Sequence, residues 1–251
     1  MARHIPEMAA ARYAGHGGND GSALAWGEAL GAASADLGGY QGHGSWADPH
    51  GILITWALMT EGGIQINADG ARFHDESGGY SEAAVAVLAQ PGAIAWNLFD
   101  DELLNLARGF PDFLQAERAG AIRSADDVAG LARLIGVDPV RLDAELAEMA
   151  ACGREDRPDR FGRRLRRPLH PPLHAIRVTG ALFHTQGGLV VDADCRVLDA
   201  HGARLPNLLA AGGAARGVSG DAVWGYLSGN GLLSAVAGGW IAAGSAAAPA
   251  S

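Results

Sequence analysis

A helix predicted over residues 228–244 begins with residues that could hold a ligand. Ser228, Gly229 and Asn230 open it, and a run rich in Ala and Gly follows. The first backbone N–H groups of a helix have no partner inside the helix, and the helix dipole adds positive potential at this end. The segment therefore suits the electron-rich edge of a ligand. The same residues also fit a helix of small side chains that only packs closely against a neighbour.

The segments before this helix would place more glycine beside the same ligand. Residues 187–205 indicate two short strands joined at polar turns. Residues 205–213 predict a buried strand that runs into Gly212 and Gly213. Because glycine has no side chain, the backbone can approach a ligand closely there. The glycine pair is thus a further place where the backbone could approach a ligand.

The composition is that of a globular protein with one large domain or two smaller ones. Its 251 residues are 48% hydrophobic, which is enough apolar material for a core. The net charge of −9 argues against nucleic acid or an anionic membrane surface as a partner. Cys152 and Cys195 form no C-x-x-C motif, so neither a disulfide framework nor a thiolate metal site is indicated. A reducing cytoplasm fits this cysteine usage.

Membrane insertion and metal binding are both disfavoured. Residues 1–13 lack the apolar region of a signal peptide. Residues 231–250 are the most apolar run, but their Ala, Gly and Ser content makes them too weakly hydrophobic to favour insertion. We interpret this run as a buried or interfacial helix. The nine histidines include no H-E-x-x-H and no clustered carboxylate partner, so no metal ligand is predicted.

The N-terminal part alternates helical and turn patterns. Residues 4–14 indicate the end of a helix. A glycine-rich turn leads to Asp20, and residues 21–39 predict a helix that stops at a glycine pair. Residues 66–70, with the sequence INADG, predict a tight hairpin turn.

The middle of the chain indicates a helical scaffold. Helical or strand-then-helix patterns cover residues 81–90, 93–107, 124–134 and 139–151. Ser124 and Asp126 mark the predicted start of the third segment and Gly136 its end, while Asp138 opens the fourth. Residues 154–167 carry seven arginines, which is typical of a solvated linker.

The order of motifs in the C-terminal part adds a resemblance. A strand pair and the motifs FHTQGGL (183–189), LPNLLAAGG (205–213) and SGNGLL (228–233) resemble the fumarate reductase and 3-ketosteroid dehydrogenase superfamily of flavoproteins. The resemblance implies that FAD is the cofactor. It also implies that the helix at Asn230 points its N-terminus at the pyrimidine edge of the flavin.

The nucleotide-binding start of such an enzyme does not occur in this sequence. A FAD domain of this kind begins with a strand, a G-x-G-x-x-G turn and a helix that holds the pyrophosphate. The resemblance therefore implies a mixed α+β or α/β fold, with a partial Rossmann-like FAD-binding domain and an inserted α+β cap domain. Residues 1–42 and 173–251 would belong to the FAD-binding domain, and residues 43–172 to the cap over the substrate.

The missing half leads to a further expectation. The chain would be a fragment, a truncated gene product or one half of a split protein, with weak FAD binding by itself. A separate N-terminal FAD-binding polypeptide would then be a partner, beside a small-molecule substrate. The electron acceptor is left open.

The resemblance assigns residues to the cofactor. These are Asp20, His184, Gly212, Gly213, Asn230, Gly231 and Leu232. Asp20 lies in Asn19-Asp20-Gly21, and a simple helix N-cap is its alternative role. The family has Glu where this chain has Gly213, so only the backbone could contact FAD there.

The substrate residues of fumarate reductases are altered in the first half of the chain. Those enzymes bind a dicarboxylate with two arginines, two histidines and a Thr-Glu pair, since charge and bidentate geometry suit carboxylates. Here one histidine is kept as His43 and the Thr as Thr55, while the Glu has become Trp56. The proton-donating arginine falls on Tyr80.

The second half is altered in the same direction. Phe183 replaces a substrate-binding histidine, Tyr226 falls on the last arginine, and Gly229 lies in the turn beside the substrate. Aromatic residues have thus replaced two arginines and a histidine. Such a pocket suits a neutral, flat, apolar molecule with a carbonyl group.

The predicted reaction is closer to that of ketosteroid dehydrogenases. Hydride would pass between flavin N5 and a carbon next to a ketone, in a desaturation or an enone reduction. Tyr80 would exchange the neighbouring proton, His43 could stabilise its phenolate, and Tyr226 would polarise the carbonyl. As structural alternatives, Tyr80 is a packing residue at a helix start, Tyr226 a core residue and His43 a satisfied loop histidine.

Two other functions stay open at this point. One is a non-catalytic remnant or binding module that kept the fold and lost the chemistry. The other, which the aromatic replacements disfavour, is a dicarboxylate enzyme of the fumarate reductase type.

Overall fold

The computed structural model describes residues 1–165 and 167–247. The chain divides into two compact units. Unit 1 comprises Met1–Ala9, Tyr13–Gln41 and the C-terminal part from Leu182, and unit 2 comprises Ala10–Arg12 and Gly42–Ala181. The predicted roles of a FAD-binding part and a cap stay predictions for these units.

The described chain contains both helices and strands along its whole length. The helices are α1 Ser22–Ala29, α2 Ala57–Thr60, α3 Tyr80–Leu88, α4 Asp101–Ala107, α5 Pro111–Arg118, α6 Val128–Ile135, α7 Pro139–Arg154 and α8 Asn230–Ala247. The strands are β1 Arg12–Tyr13, β2 Ser34–Ala35, β3 Tyr40–Ala47, β4 Ile52–Leu53, β5 Ile64–Ile66, β6 Ile94–Asp100, β7 Ile122–Ala125, β8 Leu173–Thr185, β9 Gly188–Leu189, β10 Arg196–Leu198 and β11 Arg204–Leu209. The predicted mixture of α and β structure is confirmed.

A seven-stranded sheet forms the framework of unit 2. Its strand order is β4-β3-β8-β6-β5, and β1 and β7 also pair with β8. β6 runs antiparallel to β8, from Ile94 opposite Thr179 to Asp100 opposite Leu173. β8 is buried on both faces along most of its length, because its neighbours and the helices cover it. Residues on β8 therefore have fixed partners on both sides.

The core of unit 2 packs helices against this sheet. Phe99 on β6 and Phe113 on α5 are fully buried and meet edge to face, with ring centroids 6.0 Å apart. Burial of each ring contributes roughly 1.5–3 kcal/mol. Leu131 on α6 and Leu142 on α7 belong to the same apolar cluster, so the helix pair is anchored to the sheet.

The strands of unit 1 are short and surround a small core. β10 and β11 form an antiparallel pair, and β2 pairs with β9. Leu189, Val197, Ala210 and Ala215 form its buried apolar cluster. The sequence predicted a buried strand at β11, but all six of its residues are exposed or half-buried, because β11 pairs only with β10 in a two-stranded ribbon.

Several local predictions match the structure. The strand followed by a helix in residues 93–107 is β6 and α4. In the turn after β5, the Gly70 N–H donates to the Asn67 carbonyl at 3.0 Å, and Asn67 Oδ1 accepts from two backbone N–H groups. Gly70 has a φ of +80°, which its residue type allows.

The N-terminal helix predictions were wrong in extent. Residues 4–14 contain a short 3₁₀ turn at Pro6–Met8 and strand β1 instead of a helix end. Ala14 donates its N–H to the Leu182 carbonyl, so pairing with a neighbouring strand outweighs local helix propensity. The helix predicted to reach residue 39 ends at Ala29, because Gly31 adopts a φ of +86° and turns the chain.

The predicted start of α6 was also wrong. Ser124 lies on β7, and the helix begins after Asp127, whose Oδ1 accepts the Gly130 N–H at 2.6 Å. The end at Gly136 is confirmed, with a φ of +76°. Propensity alone did not separate β7 from the helix, because the strand exists through its pairing with β8.

Replacing Asp127 with Ala is expected to lower the free energy of unfolding by about 1 kcal/mol, because the N-terminal N–H groups of α6 lose their acceptor. Asp126→Ala is the matched control, since Asp126 is a neighbouring exposed carboxylate without the capping role. Urea unfolding of both variants measures the difference. Equal losses would show that the cap does not stabilise α6.

The arginine-rich segment is only in part a solvated linker, because four of its six described arginines are exposed and two are not. Arg163 is 3% exposed and donates to Glu76 Oε2 at 2.9 Å. Arg167 makes a two-pronged contact with Asp100 at 2.7 Å from each nitrogen. The interpretation as a solvated run was wrong for Arg163 and Arg167, because buried carboxylates of unit 2 pair with these two cations. Arg166 lies outside the described residues.

Helix α8 is far more exposed than the sequence predicted. Leu232, Val236 and Trp240 are 77%, 74% and 83% exposed. The helix contacts unit 1 through its small residues instead, since an added Cβ at Gly212 would be 3.2 Å from Ala235. Residues 248–250 of the predicted run lie outside the described part. Within the described residues, none of the helices has the length and apolarity needed to cross a bilayer.

Candidate active site

Three aromatic side chains of unit 2 form one cluster. His43 lies on β3, Trp56 directly precedes α2, and Tyr80 is the first residue of α3. The rings of His43 and Tyr80 are stacked, with centroids 5.0 Å apart and planes inclined by 21°. Trp56 meets His43 edge to face at 5.8 Å, and its Nε1–H donates to the Gly78 carbonyl at 3.2 Å. The structure thus brings together three residues predicted from the sequence.

Glycine sets the distance between β3 and α3. A Cβ at Gly44 would be 2.7 Å from the Cβ of Ala83, which is closer than real side chains approach. The Gly42 N–H also donates to Ser81 Oγ at 2.7 Å. The two glycines that flank His43 therefore allow its ring to stack on Tyr80.

His43 is a neutral base-like group, because burial lowers its pKa to about 3. The backbone N–H of Ser45 donates to His43 Nδ1 at 3.1 Å. Nδ1 is therefore unprotonated, and we assign the ring proton to Nε2. A neutral His43 can stabilise a phenolate as a hydrogen-bond donor, whereas the stabilisation by positive charge is absent at neutral pH.

A buried polar chain that the sequence did not indicate lies behind His43. Ser45, Gln65 and Asn97 are fully buried. Asn97 Nδ2 donates to Ser45 Oγ, and Gln65 Nε2 donates to Asn97 Oδ1 and to the Gly44 carbonyl at 2.8 Å each. These bonds fix the backbone that holds His43 Nδ1. The only sequence signal for Ser45, Gln65 and Asn97 is the alternation of polar and apolar residues on three separate strands, β3, β5 and β6.

Thr55 closes the turn before α2. Its Oγ1 accepts the Ala57 N–H at 3.3 Å, and the residue is half-buried. Its predicted contact with a substrate stays a prediction.

Unit 1 contains a second polar chain, at the start of α8. Asn230 Nδ2 donates to Ser219 Oγ, and Ser219 Oγ donates to Gln186 Oε1 at 3.4 Å. Gln186 Nε2 donates to His184 Nδ1 at 2.9 Å. Asn230 is 4% exposed, and its Oδ1 is buried without a partner among the described residues. The sequence predicted His184 and Asn230 but missed the two residues that join them.

Glycines leave space around this chain. An added Cβ at Gly213 would meet no atom within 4 Å, while one at Gly231 would be 3.0 Å from His184 Cε1. Gly212 and Gly229 have φ of +58° and +86°. The backbone here takes conformations that favour glycine and stays open to a ligand.

The remaining predicted site residues of unit 1 lie outside this polar chain. Tyr226 meets His184 edge to face at 6.3 Å, and Phe183 is half-buried at the end of β8. Leu232 is exposed and presents only its backbone to the helix start. Asp20 Oδ1 accepts the Ser22 N–H at 2.9 Å at the start of α1, and this hydrogen bond lowers the pKa of Asp20. Gly21 is the N-cap of α1, so Asp20 lies one residue before it and does not have the alternative N-cap role; its FAD contact stays a prediction.

A family model described as FAD binding domain matches residues 1–232. The chain belongs to the FAD binding domain family. FAD is therefore its cofactor, as predicted, and the resemblance to the flavoprotein superfamily is confirmed.

Relatives of this FAD binding domain include enzymes named for fumarate. A probable fumarate reductase, Ifc3, of Shewanella frigidimarina is 29% identical over 87% of this chain and 36% of its own length. An NADH:fumarate oxidoreductase of Klebsiella pneumoniae is 27% identical over 88% of this chain and 24% of its own. The chain thus spans about a quarter to a third of the length of these relatives.

Solved structures share the fold of this FAD binding domain. The open form of a flavocytochrome c3 fumarate reductase matches with a TM-score of 0.77 at 26% identity, over 98% of this chain and 43% of the other. A 3-ketosteroid Δ1-dehydrogenase of Sterolibacterium denitrificans matches with a TM-score of 0.69 at 25% identity, over 94% of this chain and 49% of the other.

The residues of unit 1 fit a flavin. The buried Asn230 Oδ1 is an acceptor without a partner among the described residues, and it suits the ring N–H of a flavin pyrimidine edge. The carbonyl oxygens of that edge suit the N-terminus of an 18-residue helix. Gly213 leaves room where a side chain would intrude.

Proposed function

We propose that this FAD binding domain protein acts in an FAD-dependent oxidoreductase on a CH–CH bond next to a carbonyl group of a neutral, apolar substrate. The reaction is the desaturation of a ketone or the reduction of an enone. FAD, when bound, accepts or donates the hydride at N5.

The uncharged aromatic cluster of unit 2 carries this proposal. His43 is neutral because its pKa is about 3, and it lies between Trp56 and Tyr80. A dicarboxylate would lose its hydration against this surface without gaining a cation. A flat, neutral ketone would gain aromatic stacking area and would lose little hydration.

Each residue then has a separate task. Tyr80 exchanges the proton at the carbon next to the carbonyl, and the neutral His43 is the neighbouring group that we assign to stabilise its phenolate. Tyr226 donates a hydrogen bond that polarises the carbonyl. The resemblance assigns further substrate residues to each unit separately. These are Thr55 and Trp56 in unit 2, and Phe183 and Gly229 in unit 1.

Residues of unit 1 hold the cofactor. His184, Asn230 and the backbone at Gly212, Gly213 and Gly231 bind the flavin, with Asp20 and the Leu232 backbone as further contacts. The apolar side chains of α8 are exposed, which supports one more part of the proposal. The rest of a FAD-binding domain, on this polypeptide or a separate one, covers Trp240 and its neighbours.

A dicarboxylate reductase is the second candidate, because relatives at 29% identity are fumarate reductases. Substrate binding separates the two candidates. The protein is incubated with FAD and desalted, and the retained flavin band is recorded. 4-Androstene-3,17-dione, which the structure of a related Rhodococcus dehydrogenase contains, is then compared with fumarate by calorimetry. Binding of the ketone alone supports our proposal, whereas binding of fumarate alone supports the reductase.

Tyr80→Phe is expected to slow steroid-dependent flavin reduction by about 10²–10⁴-fold, because the proton acceptor is lost. The ring remains stacked on His43, so flavin content and ketone binding should stay unchanged. Tyr13→Phe, an exposed tyrosine of unit 1, is the control. Unchanged turnover in Tyr80→Phe would remove Tyr80 from the mechanism. A protein that retains no flavin and binds neither ligand would instead support the non-catalytic alternative.

A further inference from the structure

His174 is the centre of a hydrogen-bonded chain in unit 2 that the oxidoreductase chemistry does not use. Ser124 Oγ lies 2.8 Å from His174 Nδ1, and Asp101 Oδ1 lies 2.9 Å from His174 Nε2. A serine, an imidazole and a carboxylate joined in this order are the groups that activate a serine hydroxyl as a nucleophile.

The sheet fixes the positions of all three residues. His174 on β8 is directly opposite Ser124 on β7 and, on its other side, opposite Phe99 on β6. β6 runs straight into α4, whose first residue is Asp101. One partner of the imidazole therefore comes from the neighbouring strand β7, and the other from the helix that directly follows β6.

His174 is buried, whereas Ser124 and Asp101 are exposed, and this difference suits an activated serine. The side chain of His174 is 7% exposed and packs against the Phe99 ring at 5.5 Å. Ser124 is exposed, and the side chain of Asp101 is 59% exposed. The base is thus held rigidly, while the hydroxyl is accessible from solvent.

The hydrogen bonds define the roles of the two ring nitrogens. In the neutral imidazole, Nε2–H donates to the carboxylate of Asp101 and leaves the lone pair on Nδ1. The hydroxyl of Ser124 then donates to Nδ1. A carboxylate that holds one nitrogen makes the other the base, whichever of the two it is.

We propose that Ser124 is an activated nucleophile that accepts the acyl group of small esters. Ser124 Oγ bonds to the acyl carbon, its proton passes to His174 Nδ1, and the proton leaves with the alcohol as the ester C–O bond breaks. Water, deprotonated by the same nitrogen, then attacks the acyl carbon. The bond between this carbon and Ser124 Oγ breaks, His174 returns the proton to Oγ, and a carboxylic acid is released. Because Asp101 is adjacent and Asp126 and Asp127 follow Ser124, the site favours neutral or cationic esters over anionic ones.

Acetylation by p-nitrophenyl acetate tests this proposal. The full chain is treated with the ester, and peptide mass mapping follows acetylation of each serine over time. Ser77 is the internal control, because it is also exposed but its hydroxyl donates to the carboxylate of Asp75 at 2.6 Å. We expect Ser124 to be acetylated at least about 10²-fold faster than Ser77, which is the usual gain from a positioned base.

Two variants separate activation from simple exposure. His174→Gln should reduce the acetylation rate of Ser124 to that of Ser77, and Asp101→Asn should reduce it by about 10-fold or more. Asp101 is exposed, so its variant keeps the test decisive even if the buried His174→Gln does not fold. Acetylation of Ser124 at the rate of Ser77, or an unchanged rate in Asp101→Asn, would mean that Ser124 and His174 are only a cross-strand hydrogen-bonded pair.

Discussion

Replacing Glu76 with Gln is expected to lower the free energy of unfolding by about 3–5 kcal/mol, since two buried guanidinium groups lose their shared carboxylate. Arg72 Nε donates to Glu76 Oε1 at 2.9 Å, and Arg163 Nη1 donates to Oε2 at the same distance. The side chains of Arg72, Glu76 and Arg163 are at most 3% exposed. Asp159 balances only one of the two cations.

The pKa of Glu76 supports this expectation. Burial alone would raise the pKa of this carboxyl, but the hydrogen bonds and charge of Arg72 and the charge of Arg163 outweigh burial and hold it below the ordinary value. A group with a lowered pKa stabilises the folded state above its unfolded pKa and loses that contribution as the pH falls through the folded pKa. The full effect of Glu76→Gln is therefore present at pH 7.

Urea unfolding at pH 7 measures the loss. Glu117→Gln is the matched control, because Glu117 pairs with Arg108 on the surface, and such pairs contribute only about 0–1 kcal/mol. A loss below about 1 kcal/mol in Glu76→Gln would show that the buried cluster tolerates an unbalanced cation and does not anchor the segment that leads to Tyr80.

Elements that follow from local sequence signals were predicted correctly. The turn after β5 needs only Asn67 and Gly70, and the end of α6 needs only Gly136. The succession of β6 and α4 follows from a change of hydrophobic period within residues 93–107. Each of these signals lies within a few residues of its effect.

Elements that depend on distant partners were missed or misjudged. Strand β7 forms because it pairs with β8. Arg163 is buried because it pairs with Glu76, which lies 87 residues away in the sequence. The exposure of α8 could not be predicted from its composition, because an apolar helix is expected to be buried and the sequence does not show which surface would cover it.

In the candidate site too, some residues were predicted from the sequence and others depend on contacts between distant segments. The resemblance assigned His43, Tyr80 and Trp56, and the structure places them in one cluster. The buried chain of Ser45 and Asn97 was not predicted, because polar residues on separate strands carry no common sequence signal. The neutrality of His43 also required the structure, since it results from burial.

Lowering the pH from 7 to 5 is expected to destabilise the protein through His43 by about 2 kcal/mol. The folded-state pKa of His43 is about 3, against an ordinary value of 6.5. Between these values the unfolded chain binds a proton at this histidine and the folded chain does not. The contribution is therefore largest above pH 6.5 and is lost as the pH falls, which is the sign expected for a base that is buried in its neutral form.

His43→Gln isolates this contribution, because Gln keeps an acceptor for the Ser45 N–H but does not titrate. The difference in unfolding free energy between pH 7 and pH 5 should shrink by about 2 kcal/mol in this variant. His201→Gln, at an exposed histidine, should leave the difference unchanged. If His43→Gln keeps the pH dependence of the wild type, His43 is protonated in the folded state at pH 5. The site would then hold a cation, which would favour a carboxylate substrate over a neutral ketone.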